Sequence, residues 1–113
     1  MSHRLAQINE LIRQQLNQLL LTEFEFPQGC LVTIVRVETS RDLRHAKVWI
    51  SVMPTHYIKK VLTKLNSQIG HLQFLINKKL LIKPLPRLRF AIDDTESKAQ
   101  EIEQLLDQIK KTS

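Results

Sequence analysis

The sequence predicts an α+β protein in which three or four amphipathic helices lie on one face of a small three-stranded sheet. Two patterns along the chain predict this class. Apolar residues recur every three or four positions in the first, middle and last parts, and three shorter segments between them have strand character. The 113 residues, 42% of them hydrophobic, fit one modest core. We therefore expect a single domain over residues 1–113.

The first helix and the first strand are separated by a turn. A helix is predicted over residues 3–22, where the apolar residues fall on one face. These are Leu5, Ile8, Leu11, Ile12, Leu16, Leu19 and Leu20. Pro27 and Gly29 then mark the turn, and residues 31–37 have the β-branched density of a strand. Because this run is almost continuously apolar, we expect much of both its faces to be buried.

The second strand is predicted to form a hairpin with the first. Residues 39–44 are a polar connection, and residues 46–52 alternate between apolar and polar side chains. A period of two predicts a half-buried strand. Trp49 would then lie on the face opposite Val48 and Ile50.

The middle of the chain predicts a long helical region. Pro54 ends the second strand, and Thr55 is placed to cap the helix that follows. Gly70 interrupts this region, where glycine costs about 0.5–1 kcal/mol relative to alanine. The apolar phase does not shift across Gly70, so one bent helix and two helices joined by a tight turn both remain open. The inward face is Ile58, Val61, Leu62, Leu65, Ile69, Leu72, Leu75 and Ile76.

A third strand and a last helix complete the order. Pro84 and Pro86 end the helical region, and residues 87–92 alternate as a strand does. Asp93 and Glu96 have the spacing of a capping box at the start of a helix. The apolar face of that helix is Ile102, Leu105, Leu106 and Ile109.

The basic charge is concentrated in one half of the chain. Residues 43–92 contain ten Lys or Arg and no Asp or Glu. The first 92 residues carry a net charge of +9, and residues 93–113 carry −3. A solvated basic surface is the simple alternative. The complete absence of acids favours a polyanionic partner, because mixed charges solubilise a protein equally well.

The residues needed for catalysis or metal binding are sparse. The four histidines have no metal-ligand spacing, and the two glycines cannot form a nucleotide-binding fingerprint. Cys30 is the only cysteine and is expected to be a small buried hydrophobe. Asp93 and Asp94 precede a predicted helix, so capping explains them better than acid–base chemistry. We expect no enzyme activity, cofactor, metal or small-molecule substrate, and no membrane span in a soluble, intracellular protein.

A basic cluster near the third strand is the candidate surface for nucleic acid. We expect Lys78, Lys79 and Lys83 to form one compact group with Arg87 and Arg89, which share a strand face. Cations at such a surface neutralise backbone phosphates. The six aromatic residues mostly occupy positions that the core explains. Recognition of backbone and shape is therefore expected rather than base stacking.

Three segments at defined separations then carry a family resemblance. Residues 37–48 contain Ser-x-Asp-Leu followed two residues later by Ala-Lys-Val, and residues 86–93 contain Pro-x-Leu-x-Phe-x-x-Asp. Between them lies Gln68-Ile69-Gly70. Together these segments resemble the ribosome-binding factor A family over nearly the whole chain. At the middle segment that family typically has Ala-x-Gly.

The resemblance implies a fold and a function. The fold is KH-like, of the second type, with a kinked helix pair at residues 68–70 and an extra C-terminal helix. The function is binding to the 30S subunit and 16S rRNA, late maturation and processing of the precursor, and cold adaptation. We accordingly expect a cytoplasmic monomer. The candidate RNA-binding residues are Arg44, Lys47, Gln68, Gly70, His71, Lys78, Lys79, Lys83, Arg87 and Arg89.

Two of these positions depart from the family pattern, and two other residues have a structural explanation. Gln68 is bulkier than the usual alanine, and Arg87 stands where many members have an acid. Asp42 is expected to close the hairpin turn through backbone hydrogen bonds, with Leu43 packed beneath it. The alternative function is a protein-interaction adaptor that docks through its two terminal amphipathic helices.

Overall fold

The computed structural model describes residues 2–81 and 85–93, and its element order confirms the α+β class. The elements are α1 (Ser2–Glu23), β1 (Leu31–Thr39), β2 (His45–Met53), a 3-10 turn (Thr55–Tyr57), α2 (Ile58–Ser67), α3 (Ile69–Lys79) and β3 (Arg87–Ile92). Lys83, Pro84 and the predicted last helix lie outside the described residues.

The three strands form one sheet with β2 in the centre. β1 runs antiparallel to β2, which confirms the hairpin, and β3 runs parallel to β2. A parallel neighbour requires a crossover connection, which α2 and α3 provide. In this register Val48 of β2 lies between Val37 of β1 and Phe90 of β3.

The helices cover only one face of the sheet. The covered face and the apolar faces of the helices make a single core. The strand residues buried there are Ile34, Val37, Ala46, Val48, Ile50, Val52, Leu88 and Phe90. Trp49 points to the other face, as its alternation with Val48 and Ile50 predicts. The strands therefore expose a face on which no helix of the described residues packs.

The prediction that β1 is buried on both faces is wrong. Only Ile34 and Val37 of this strand are buried, whereas Leu31 is 65% exposed and Val35 is 40% exposed. The register shifts between Ile34 and Arg36, so Val35 is an extra, bulged residue. The β-branched residues of β1 favour an extended strand without requiring burial. No second layer among the described residues covers the outer face of this strand.

Asp42 and Leu43 shape the hairpin connection as expected. A carboxylate oxygen of Asp42 accepts hydrogen bonds from the Ser40 hydroxyl at 2.6 Å and the Arg44 amide at 3.1 Å. These bonds, with the Ser40 bond the stronger cause, lower the pKa of Asp42. Leu43 has a φ of 60°, a left-handed conformation, and its side chain packs partly buried against the core.

The predicted cap at the start of the middle helix is wrong. Thr55 begins a 3-10 turn, and neither that turn nor α2 has a side-chain cap. The amide of Tyr57 instead bonds to the Pro54 carbonyl at 3.2 Å. The chain therefore enters α2 through a 3-10 turn. In this turn a backbone carbonyl accepts the amide hydrogen bond that the Thr55 hydroxyl was expected to accept.

Helix α1 closes the free edge of β1 with two asparagine side chains. The Asn17 amide oxygen accepts a hydrogen bond from the Ile34 amide at 2.9 Å, and its NH2 group donates to the Ile34 carbonyl at 3.3 Å. Asn9 accepts hydrogen bonds from both the amide and the hydroxyl of Thr39. These contacts satisfy backbone N–H and C=O groups on the outer edge of β1, where no neighbouring strand is present to bond them.

Helix α3 closes the edge of β3 in the same way. The Gln73 amide oxygen accepts a hydrogen bond from the Leu88 amide at 2.9 Å, and its NH2 group donates to the Pro86 carbonyl at 3.1 Å. Amide side chains suit this purpose because they carry both a donor and an acceptor. Both edges of the sheet are thus tied to the helix layer.

We predict that Asn17→Leu destabilises the fold by about 1–3 kcal/mol, because it leaves the Ile34 amide and carbonyl without partners. Urea unfolding of the purified variant measures the loss. Gln14→Leu is the matched control, since the Gln14 side chain is exposed and bonds only to Glu10 among the described residues. It should change the free energy of unfolding by less than about 0.5 kcal/mol. Equal stability of the two variants would contradict the edge-closing role.

Candidate nucleic-acid interface

The middle helical region is two helices joined at Gln68. This residue has φ −108° and ψ 9°, outside the helical region, and its carbonyl accepts the first bond of α3 from Leu72 at 3.0 Å. Of the two alternatives, the tight turn is therefore correct. The break lies two residues before Gly70. The Gln68 side chain is exposed, so its bulk does not obstruct the break.

Gly70 lies in the first turn of α3 with no structural requirement for glycine. Its φ is not positive, and a Cβ placed on it would meet no atom within 4 Å. The residue is also exposed. A glycine here therefore leaves a part of the helix surface open to close approach from outside.

His71 completes an exposed group with Gln68 and Gly70, which we call the turn surface. The imidazole Nε2 lies 3.8 Å from a carboxylate oxygen of Glu23, the last residue of α1. Protonation of His71 would pair these two groups. The turn surface therefore lies next to a carboxylate, that of Glu23, whose proximity to His71 could not be predicted from the sequence.

Lys78 and Lys79 are exposed in the last turn of α3. Cations at this position also interact favourably with the helix dipole. The Lys78 ammonium lies 4.4 Å from the centroid of the Phe74 ring, which is itself 54% exposed. Phe74 is therefore not a core residue, whereas most of the other aromatic residues pack in or against the core as expected, namely Phe24, Phe26, Tyr57 and Phe90.

Helix α2 adds a row of lysines absent from the candidate set. Lys59, Lys60 and Lys64 are exposed, and together with His56 they border an open groove of about 540 Å³. The spacing of Lys60 and Lys64 places like charges on adjacent turns, which weakens a helix slightly. That spacing is visible in the sequence and could have identified the row. The Lys64 ammonium donates to the Glu25 carbonyl.

The described members of the cluster expected near β3 lie on different faces, and Lys83 lies outside the described residues. Arg87 and Arg89 alternate with the buried Leu88 and Phe90, so they lie on the helix-free face of the sheet. Lys78 and Lys79 belong to the helix layer on the other face. The sequence places these residues close along the chain, but the strand pleat sends the arginines to the opposite side.

The helix-free face carries its own set of cations, which we call the sheet surface. Lys47 is the registered neighbour of Arg89, and His45 is that of Arg87. Arg36 of β1 lies opposite Trp49 on the same face. Arg44 directly precedes β2, and its carbonyl accepts the Arg87 amide at 2.8 Å. The candidate residues thus divide between the two sides of the sheet.

Trp49 lies in the middle of the sheet surface and contacts two cations. The Arg36 guanidinium carbon is 4.5 Å, and the Lys47 ammonium 4.3 Å, from the ring centroid. The indole N–H is shielded from solvent and has no hydrogen-bond partner among residues 2–81 and 85–93. The sequence predicts the face on which Trp49 lies, but it does not predict that two cations pack against this partly exposed ring.

The chemistry of these surfaces is electrostatic. Within the described ranges, no group of three or more His, Cys, Asp or Glu residues could hold a metal ion. Cys30 is half-buried against the core, and this burial raises the pKa of its thiol, which favours the protonated form. None of the helices in the described part of the chain has the length and apolar character of a membrane span. The exposed amines and guanidinium groups are suited to bind phosphates.

Comparison with known proteins gives a consistent result over nearly the whole chain. A family model described as Ribosome-binding factor A matches residues 4–106. A ribosome-binding factor A from Akkermansia muciniphila is 36% identical over 111 residues, which cover 98% of this chain and 88% of the relative.

Two sets of coordinates are similar in fold. The crystal structure of ribosome-binding factor A from Thermus thermophilus has a TM-score of 0.69 at 18% identity, covering 78% of this chain and 94% of that one. A homology model of the Thermus thermophilus ribosome-binding factor A, fitted into a cryo-EM map of its 30S complex, has a TM-score of 0.57 at 23% identity. It covers 74% of this chain and 92% of that one. These similarities confirm the expected KH-like fold.

We predict that Gly70→Ala stabilises the fold by about 0.5–1 kcal/mol. Alanine favours the helix, and its methyl group enters space that is open in the protein. Thermal unfolding measures the gain. An unchanged or lower melting temperature would show that the position needs glycine for a structural reason.

Proposed function

The chain belongs to the ribosome-binding factor A family, and from this we propose that it binds the 30S subunit through 16S rRNA. We further propose that it assists late maturation and processing of the rRNA precursor. In this role it acts by binding, without catalysis, cofactor or metal. It would work as a cytoplasmic monomer and contribute to growth in the cold.

The exposed cations of α2 and α3, which have no carboxylate partner in the described part of the chain, carry this proposal. Lys59, Lys60 and Lys64 on α2 and Lys78 and Lys79 on α3 are all exposed. None of them lies within 4 Å of a carboxylate in the described part of the chain. Cations without acidic partners are free to replace the counterions around a phosphate backbone, which is the main source of affinity for nucleic acid.

The turn surface joins the two helices that carry these cations. Along the chain, Gln68, Gly70 and His71 lie between the lysines of α2 and those near the end of α3. Gly70 permits close approach, and the open first turn of α3 has backbone amides that favour anions. We therefore place the main rRNA contact on this helix side. The 30S complex of the Thermus thermophilus protein supports the choice of partner.

The adaptor alternative has less support. The apolar face of α1 is occupied in the core, where Ile8, Ile12, Leu16, Leu19 and Leu20 are buried. A helix that already packs on the sheet cannot offer the same face to a partner protein. The predicted last helix, the other docking element of that hypothesis, lies outside the described residues.

We predict that reversing the charge of Lys78, Lys79 and Lys83 together to Glu abolishes cosedimentation with small subunits. The wild-type association should also weaken log-linearly with salt, as expected when cations displace phosphate counterions. Circular dichroism should report a native fold for the variant.

The matched control reverses Arg4, Arg13 and Arg41, which lie outside the acid-free stretch, to Glu. Both variants change the net charge equally, so a difference between them assigns binding to a place on the surface. Undiminished cosedimentation of the lysine variant, or equal loss in both variants, would overturn the proposed site. Binding that is insensitive to salt would favour docking through apolar surfaces instead.

A further inference from the structure

We propose that the sheet surface is a second RNA-binding site, which takes a single-stranded segment. The phosphates of that segment would contact Arg36, Lys47 and Arg89, and one base would stack on Trp49. This inference rests on the proposed function, because it requires an RNA partner. It goes beyond that function in naming a separate surface and the kind of RNA that binds there.

The arrangement of charge on the sheet surface is unfavourable for the isolated protein. Lys47 and Arg89 are direct neighbours on adjacent strands. Like charges directly opposite each other on one sheet face are destabilising. Glu38 is the only carboxylate that the three strands carry. It is the registered neighbour of Lys47 on β1, but its ion pair is with Arg36 at 2.5 Å, so one carboxylate faces Arg36, Lys47, Arg87 and Arg89. Anions that bound from outside would relieve this repulsion.

The geometry of a sheet spaces these cations regularly. Neighbouring strands lie about 4.8 Å apart, and side chains two residues apart on one strand are separated by about 6.6 Å. Lys47, Arg87 and Arg89 occupy adjacent positions of that lattice. An extended strand of nucleic acid, which has a phosphate at every nucleotide, can contact several of them at once.

Trp49 distinguishes single-stranded RNA from a duplex. Proteins that bind single strands combine a cationic surface with aromatic rings on which bases stack, and a duplex keeps its bases covered. The Trp49 ring is partly exposed and has Arg36 and Lys47 against it. Phosphates would draw these two cations from the ring, and a base could then replace them.

The two basic surfaces lie on opposite sides of the sheet. The turn surface and the lysines of α2 and α3 belong to the helix layer, whereas Trp49 and its cations belong to the uncovered face. One RNA segment cannot occupy both sides at the same point. A protein with two such surfaces can hold a single-stranded segment next to a structured part of the same RNA.

The chain contains one tryptophan, so intrinsic fluorescence reports directly on the sheet surface. We would titrate the full-length protein with a single-stranded RNA of about ten nucleotides and, separately, with a hairpin duplex of similar length. We expect saturable quenching of Trp49 by the single strand, weakened by salt, and at least threefold less quenching by the duplex. Unchanged fluorescence at saturating RNA would overturn the inference. Equal or stronger quenching by the duplex would overturn it too.

Variants locate the interaction. Lys47→Glu with Arg89→Glu should lower the affinity for the single strand about tenfold, as measured by anisotropy of labelled RNA, and Trp49→Ala should do the same. Because Glu38 is the β1 neighbour of Lys47, the first variant also places two carboxylates opposite each other, and circular dichroism should report its native fold before affinity is compared. Lys78→Glu with Lys79→Glu is the control of equal charge change, and it should leave Trp49 quenching intact. Loss of quenching in the control, or unchanged affinity of the sheet variants for the single strand, would overturn the assignment.

The result separates this inference from the proposed function. If the helix-side variants lose small-subunit binding while Trp49 fluorescence never responds to RNA, the proposed function stands and this inference fails. Quenching by intact small subunits but not by free single-stranded RNA would show that the sheet surface contacts some other feature of the assembled particle, and would also overturn the inference.

Discussion

A three-stranded sheet covered by helices on one side only is the constraint on which the rest of this structure depends. The central strand β2 has to bury every second side chain and leave the others in water. The edges need partners for their backbone groups, and Asn9, Asn17 and Gln73 supply them from the helices. The core, the edges and the open face all follow from this one-sided arrangement.

This constraint also determines where the charge lies. An acid-free stretch that contains both helices and strands cannot place all of its cations on one surface. Lysines on α2 and α3 remain on the outside of the helix layer, and basic residues on β2 and β3 go to the uncovered face. The described part of the protein is therefore basic on both sides of the sheet.

The parts of the fold that depend on local periodicity could be predicted from the sequence. The bounds of α1, the alternation of β2 and the face of Trp49 agree with the structure within one or two residues. The features that depend on tertiary pairing could not be predicted in this way. The bulge at Val35, the tightened turn at Thr55 and the edge contacts of Asn17 have no distinctive local pattern.

The candidate site was predictable only in part, for the same reason. The exposed turn at residues 68–70 was found through the family resemblance, although the break lies at Gln68 and not at Gly70. The grouping of Lys78 with Arg89 failed because nearness along the chain does not reveal which side of a sheet a residue faces. Trp49 was placed on the correct face, but its cationic neighbour Arg36 comes from another strand.

Site-directed crosslinking to small-subunit precursors tests the central claim most directly. Cys30→Ser removes the one native thiol, and a photoreactive group can then be attached at His71→Cys on the helix side or at His45→Cys on the sheet side. The account predicts that both positions crosslink to 16S rRNA, and that the two positions crosslink to different RNA segments. Crosslinks from both positions to ribosomal proteins alone would contradict it.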